Sequence, residues 1–270
     1  ELMMRKKTDT LKNKVVFITG ASTGLGEKIA YEAAKKGAIV VVSARREDLL
    51  LQVKEKCEQL SSKPAFAFGL DVSDPEQVKK VITEIYQTVG TVDVLVNNAG
   101  FGHFEEALTF DMDVAERMFR VNVLGLMYVT QLVAIEMAER HQGHIINIAS
   151  QAGKMATPKS TIYSASKFAV IGYSNALRLE LKPLNIFVTT VNPGPIETNF
   201  FDIADESGTY LEKVGHMVLN AEVVAGRIVS LMGTPRRELN MPALLEIAGK
   251  FYTLFPRIGD YLAGDLFNNK

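Results

Sequence analysis

Short runs of β-branched and aliphatic residues alternate along this chain with longer stretches in which apolar positions recur every three or four residues. The short runs predict strands at Val15–Thr19, Ile39–Ser43, Ala65–Leu70, Val94–Asn97, His144–Ala149 and Ile186–Val191, with a shorter one near Glu238–Met241. Most are apolar on consecutive residues, the pattern of strands covered on both faces. The longer stretches predict helices at Leu25–Lys36, Glu47–Leu60, Pro75–Val89, Asp111–Glu139, Ile162–Leu181 and Ala221–Leu231. Ser73-Asp74-Pro75 supplies a helix cap followed by proline at the first helical position, and Lys36-Gly37 supplies a glycine stop. Strand and helix in such alternation give an α/β fold, a single doubly wound domain. Its predominantly parallel seven-stranded sheet is flanked by helices on both faces, and its ligand crevice lies at the carboxyl ends of the strands.

The 270 residues suit one α/β domain, and no repeat or linker divides them. A formal net charge of −1 gives no global basic field for nucleic acid or an anionic membrane. Arg5-Lys6-Lys7 runs into Thr8-Asp9-Thr10 without an apolar stretch, so it reads as neither signal peptide nor membrane anchor, and a cytoplasmic location is the default expectation. Cys57 is the single cysteine, which excludes an internal disulfide and a cysteine-based zinc site. The four histidines have no metal-ligand spacing with nearby carboxylates, so no metal is expected. His141 and His144, bracketing Gln142-Gly143, read as loop residues.

The unusual residues cluster at predicted strand ends. After the first strand comes "TGASTGLG", where Gly20, Gly24 and Gly26 allow a tight turn with Ser22, Thr23 and Leu25 around a pyrophosphate at a helix N-terminus. The second strand ends "VVSARRED", with Ser43 and Ala44 where an NAD site usually carries an acid, then Arg45 and Arg46. Two guanidiniums match a ribose 2′-phosphate, so NADP(H) is the expected cofactor, with Arg45 the better contact because it lies nearer the strand. Asp71-Val72 ends the third strand, where the aspartate can accept from an adenine amine while starting a turn. Asn98, Ala99 and Gly100, in "NNAG", end the fourth and can line the adenosine side of the groove.

Within "TIYSASKFAV", Tyr163 and Lys167 stand four residues apart and so share one face of a helix. A tyrosine with its ordinary pKa near ~10 is a poor base, and a fixed cation beside it lowers that value. Ser150, ending the fifth strand, is placed to bond a substrate carbonyl or alkoxide. Asn122 is a polar residue inside a long apolar helix, and its amide is expected to hold a water connecting Lys167 to solvent.

Taken in order, Thr19-Gly20 through Gly26, Asp71, Asn97-Asn98-Ala99-Gly100, Asn122, Ser150, Tyr163-x-x-x-Lys167 and Pro193-Gly194 resemble the short-chain dehydrogenase/reductase family, from about Lys14 to about Met241. The resemblance implies a Rossmann-type fold and hydride transfer between a nicotinamide and a carbonyl or secondary alcohol. Tyr163 is then the general acid–base, and Lys167 bonds the ribose hydroxyls and lowers the tyrosine pKa. Ser150 orients the substrate oxygen, and Asn122 supports the proton relay. Pro193, Gly194, Ile196 and Thr198 hold the carboxamide end of the nicotinamide. A dinucleotide-binding sensor or scaffold without turnover is the alternative, and the complete Ser-Tyr-Lys-Asn set argues against it.

Residues 1–13 read as an arm, 14–242 as the catalytic domain with a lid at about 196–220, and 243–270 as an apolar helical extension broken at Pro256. Phe101, His103, Gln151 and Met155 are expected to line the substrate cleft, with Phe200, Phe201, Tyr210 and Met217 in the lid. A ketone on an alkyl, acyl or ring skeleton fits such a wall better than a sugar. The apolar positions of the extension need cover, and a homodimer or homotetramer is the expected assembly, with Asp111–Glu139 and Ile162–Leu181 as the more usual interface in the family.

Overall fold

The computed structural model describes residues 11–198, 200, 204 and 218–261. Strand β1 (Val15–Thr19) is buried at every position. Its side chains divide by the period of two, Val16 and Ile18 entering one apolar layer and Val15 and Phe17 the other. With it, β2 (Ile39–Ala44), β3 (Ala65–Gly69), β4 (Val94–Asn97), β5 (Gly143–Ile148), β6 (Ile186–Pro193) and β7 (Glu238–Met241) form a seven-stranded sheet in the order β3-β2-β1-β4-β5-β6-β7. Each of its ladders is parallel. The chain runs outward from β1 to β3, then returns to lay β4 against the other edge of β1. That reversal opens a crevice at the carboxyl ends of β1 and β4.

The helices, in chain order, are α1 (Gly24–Lys35), α2 (Glu47–Ser61), α3 (Pro75–Thr88), α4 (Met112–Phe119), α5 (Leu126–Glu139), α6 (Thr161–Leu181), α7 (Ala221–Leu231) and α8 (Ala243–Leu254). One face of the sheet is covered by α1, α2 and α7, where Ala30, Ala33 and Ala34 are small enough to let α1 pack close. The other face carries α3, α5 and α6 through Val78, Ile82, Val129, Val133 and Leu181. Asp74 accepts from the backbone N–H groups of Glu76 and Gln77 with Pro75 behind it, and Gly37 ends α1 at φ +82°, both as the local sequence requires.

Two expectations are corrected. The stretch Asp111–Glu139 is not one regular α-helix, because Arg120–Gly125 forms a π turn between α4 and α5. The turn centres on Asn122, whose carboxamide is bonded to the backbone of Phe101, a tertiary hold that the i−4 ladder accommodates by widening. His144 is a strand residue and not a loop residue. Buried in β5, its Nδ1 accepts from Gly233 N–H at 3.0 Å, so Nε2 carries the proton and donates to Thr189 Oγ1 at 2.8 Å. Burial pushes its pKa down to about 4. His141 does occupy a turn, at φ +50°. At the end of the arm Leu11 is buried, and Leu11 and Asn13 donate to the carbonyls of Lys36 and Gly37 just after α1. Residues 1–10 lie outside the described residues.

Cys57 faces the core from α2, where burial pushes its thiol up to about 12, a structural cysteine. The run Met112–Glu139 is long and apolar enough to cross a bilayer by composition alone, and half of its most apolar window is buried in the fold.

Candidate active site

The crevice is built first from glycine. Gly20 and Gly24 hold positive φ (+64° and +63°), and a Cβ on Gly20 falls 2.6 Å from Ala99 Cα. A Cβ on Gly26 falls 2.5 Å from Asn98 Nδ2, so the loop after β1 closes directly on the segment after β4. The Asn98 amide is consumed in that closure, donating to Thr19 O at 3.1 Å and Gly20 O at 3.0 Å. Thr19 Oγ1 accepts in return from the N–H groups of Asn98 and Ala99. Asn98 therefore spends its amide N–H groups bracing the loop, and the exposed Gly100 follows two residues on.

At the end of β2 the structure also revises the reading. Ser43 is fully buried, and its hydroxyl finds no partner among the described residues, so it presents nothing to a ligand. Arg46 reaches across to the glycine loop, its Nη2 donating to Thr23 Oγ1 at 2.9 Å and to Ser22 Oγ at 3.3 Å. Arg45 is exposed at the strand end. Of the two guanidiniums, Arg46 is the one bonded to the glycine loop. Asp71 starts a turn, its Oδ1 accepting from Ser73 N–H and Oγ–H, while Val72 is buried under the π turn at Gly125. Leu25 packs on the core at the start of α1. Thr198 approaches within 3.5 Å of where a Cβ on Gly24 falls, bringing the segment after β6 to the glycine loop. Ile196 is buried and bridges to Leu219, pinning the two ends of the expected lid. Phe201, Tyr210 and Met217 lie outside the described residues.

The sequence places Tyr163 and Lys167 on the buried face of α6, and both are almost wholly enclosed, at 8% and 7% exposure. Lys167 Nζ donates to the Ile148 carbonyl at 3.0 Å and lies 5.7 Å from the Tyr163 ring centroid. No carboxylate among the described residues pairs with it, and burial pushes its pKa down to about 8. Asn122 stands nearby, its amide bonded within the fold. Its Oδ1 accepts from Phe101 N–H at 2.9 Å, and its Nδ2 donates to Phe101 O at 2.8 Å and to Ser166 Oγ at 3.2 Å. Both N–H donors of the carboxamide are used, and its match to both backbone groups of Phe101 holds that residue in place near Lys167. Ser166, fully buried one turn along α6, was missed; its signal was a small hydroxyl within the apolar face between Tyr163 and Lys167.

Ser150 follows β5. Its Oγ accepts from Ala152 N–H at 3.1 Å, while its hydroxyl meets Pro193 O only at 3.5 Å, too long for a full hydrogen bond. The hydroxyl proton is thus available to a substrate oxygen. Gly194 N–H donates to Met241 O at 2.7 Å, continuing the β6–β7 pairing past Pro193.

On the substrate side, the Tyr163 ring meets Phe104 edge-on at 5.6 Å and Phe200 at 5.7 Å, with Phe101 in the same apolar cluster. Phe104 was also missed, for an aromatic after "FGH" carries no signal distinguishing packing from a wall. His103 turns toward its own loop, against the Phe110 ring and 3.4 Å from Glu105. Met155 packs against Gly249 of α8. Gln151, expected in the cleft, is buried with its amide donating to Asn192 O at 2.8 Å, and is corrected to an interior residue.

A doubly wound sheet with a glycine loop after β1, a cation on that loop and a buried Tyr–Lys pair beside it has the donor set for a dinucleotide at the crevice: backbone N–H groups, a guanidinium and an ammonium. The chain belongs to the short chain dehydrogenase family of oxidoreductases, matching it over residues 14–207. The fold is one that binds a nicotinamide dinucleotide and acts on small molecules. Among curated relatives, bovine 3-ketodihydrosphingosine reductase is 39% identical over 193 residues, 69% of this chain and 57% of that protein. Human dehydrogenase/reductase SDR family member 7 is 36% identical over 196 residues, 71% of this chain and 58% of that one. The chain thus spans less than three-fifths of the length of these relatives. A 3-ketoacyl-(acyl-carrier-protein) reductase from Brucella melitensis, solved with NADH, superposes with a TM-score of 0.78 at 29% identity over 86% of this chain and 98% of its own. A serine dehydrogenase solved with NADP+ gives 0.78 at 29% identity over 85% and 95%.

Proposed function

We propose that the chain is an NADP(H)-dependent oxidoreductase that interconverts a carbonyl and a secondary alcohol on a predominantly apolar skeleton. The observation that carries this reading is the enclosed Lys167 ammonium, without a carboxylate partner among the described residues, beside the Tyr163 ring. A structural lysine in such a position is costly, whereas one that stabilises a tyrosinate recovers that cost when the reaction makes the anion.

The bound nicotinamide supplies or accepts the hydride. In the reducing direction, the Ser150 hydroxyl donates to the substrate carbonyl and fixes its oxygen. Tyr163 transfers its phenolic proton to that oxygen as negative charge develops, and Lys167 stabilises the resulting phenolate until solvent reprotonates it. Oxidation runs the same transfers backward. Preference for NADP(H) is supported by Arg45 and Arg46 and by Ser43-Ala44 in place of an acid. An apolar substrate is supported by the aromatic ring contacts around Tyr163 and by the names of the relatives, which include a 3-ketodihydrosphingosine and a 3-ketoacyl-(acyl-carrier-protein) reductase. A second copy of the chain is the partner proposed for the exposed Phe168 and Leu179 of α6 and the outer face of α8.

Following NADPH oxidation with 2-alkanones, 3-oxo esters of graded chain length and cyclic ketones tests the reading. Turnover rising with apolar surface supports it; no turnover across the panel by a protein that binds NADPH overturns it.

A further inference from the structure

The buried Gln151 asks what a carboxamide does one residue after the serine that the proposed reaction uses. The β5–β6 ladder ends at Ile148 and Val191. Beyond it, three consecutive carbonyls of β6 still accept from three consecutive residues: Val191 O from Ala149 N–H at 2.8 Å, Asn192 O from Gln151 Nε2 at 2.8 Å, and Pro193 O from Ser150 Oγ at 3.5 Å. The first two contacts are full hydrogen bonds and the serine between them makes the long one.

Gln151 is tied in turn into a closed ring. Asn192 Nδ2 donates to Asn240 Oδ1 at 2.9 Å, and Asn240 Nδ2 donates to Glu238 Oε2 at 3.2 Å. Lys154 Nζ donates to the same carboxylate oxygen, and Lys154 N–H returns to Gln151 O at 2.9 Å. Every donor in the side-chain part of the ring points toward Glu238. At the other end, Gln151 Oε1 and Asn192 Oδ1 are buried with no partner among the described residues. A ring that keeps two unsatisfied acceptors beside a reactive loop is not the arrangement stability alone selects.

We propose that Gln151 is a positioning residue: its bond to Asn192 O, fixed by the Asn192–Asn240–Glu238–Lys154 ring, holds the Ser150 loop at a spacing that denies Ser150 a full bond to Pro193 O. The serine proton is thereby kept for the substrate oxygen. Without the rung, the loop relaxes toward β6 and Ser150 closes onto Pro193 O, hiding its proton in an internal bond. This rests on the role proposed for Ser150, but its geometric half stands apart from any activity.

Crystal structures of the unmodified protein and of Gln151→Met test that half, with Lys154→Met in its place if the first variant does not fold. Contraction of the Ser150 Oγ to Pro193 O distance by at least about 0.5 Å, to ordinary O–H···O length, is the expected shift. An unchanged distance in the variant overturns the proposal. Kinetics test the other half with the isosteric Gln151→Glu, which keeps the volume and loses the donor until it is protonated. With the ketone reduced fastest by the unmodified protein, its kcat falls about tenfold at pH 8, a fraction of what loss of a whole oxyanion donor costs. It recovers relative to the unmodified protein as pH falls, at unchanged KM for NADPH. In a Ser150→Ala background the same substitution changes kcat less than about twofold. Equal losses in both backgrounds, or a pH-independent loss, overturn the proposal and leave the oxidoreductase reading intact. A silent Ser150→Ala variant instead overturns the role of Ser150 itself, and if no ketone is turned over the distance alone decides.

Discussion

Lys167 Nζ donates to the Ile148 carbonyl at 3.0 Å, and this neutral acceptor is the one hydrogen bond that the geometry gives the ammonium among the described residues. The contact ties α6 to the end of β5, two residues before Ser150, and so fixes the cation relative to both the phenol one turn back and the hydroxyl above. It also leaves a buried charge with only dipolar compensation, and that has a measurable consequence for stability.

Burial lowers the Lys167 pKa from its ordinary value to about 8. The folded state therefore binds fewer protons than the unfolded one between pH 8 and the ordinary lysine range, and stability rises with pH across that window. Below pH 8 the full cost of the buried cation is present. Lys167→Met is expected to stabilise the apoprotein at pH 7 by about 1–3 kcal/mol, an advantage that fades as pH approaches ~10, while turnover is lost. Urea unfolding at pH 7 and pH 9.5 checks it, and a destabilised variant at pH 7 counts against the burial argument.

Arg45 and Arg46 are separable. Arg45 is exposed at the end of β2, whereas Arg46 is bonded to Ser22 and Thr23. Arg45→Ala is expected to weaken NADPH at least about tenfold and leave NADH nearly unchanged, one charge-assisted contact being lost. Arg46→Ala is expected to weaken both cofactors, because the loop itself loosens. Titration of each variant by cofactor fluorescence reads the difference. Equal affinity of the unmodified protein for NADPH and NADH contradicts the proposed preference.

His144 gives the same sign of pH dependence as Lys167, stability rising with pH, but in the acid window. Its folded pKa of about 4 lies below the unfolded value, so its contribution is complete above the ordinary histidine pKa and is lost as pH falls toward 4. That contribution approaches about 3 kcal/mol over the window. His144→Gln is expected to lower stability at pH 7.5 and to flatten the slope between pH 6.5 and 4.5. A slope as steep as that of the unmodified protein assigns the acid sensitivity elsewhere.

The outward positions Leu244, Ile247, Phe251, Leu254, Phe255 and Ile258 are exposed apolar residues of α8 and of the helical segment that follows the bend at Phe255, with Leu254 at 73% exposure. Leu262 and Leu266, which extend the pattern in the sequence, lie outside the described residues. Light scattering at micromolar concentration is expected to give a dimer or tetramer. A monomer refutes the proposed partner, and an unchanged assembly after Phe168→Glu and Leu179→Glu moves the contact from α6 to α8.

What was legible in the sequence follows from what is local. The pattern placed all seven strands to within two residues, consecutive apolar runs marking most of them as buried and parallel, and right-handed crossovers implied the doubly wound sheet. Residues at the carboxyl ends of the strands lie along one edge, because a parallel sheet puts all of those ends there. The errors lie where a side chain answers to a distant backbone. Asn122 turns to Phe101 and opens the π turn, Asn98 turns to the glycine loop, and Gln151 turns to β6. In each case an amide read as facing a ligand or a water is bonded to backbone inside the fold, and nothing in the neighbouring residues distinguishes the two. Ser43 and His144 failed for a related reason: a polar residue inside a strand looks like a strand end until its neighbours in the sheet are known.

The central claim is that Tyr163 gives and takes the proton while Lys167 serves both the phenol and the cofactor. Tyr163→Phe removes one oxygen from a ring held by Phe104 and Phe200 and leaves the packing intact. Calorimetric titration of NADPH into this variant, paired with single-turnover NADPH oxidation on the best ketone of the panel, tests it most directly. The account predicts cofactor affinity within about twofold of the unmodified protein and a chemical step slowed by at least about a hundredfold. Single-turnover rates near those of the unmodified protein contradict it.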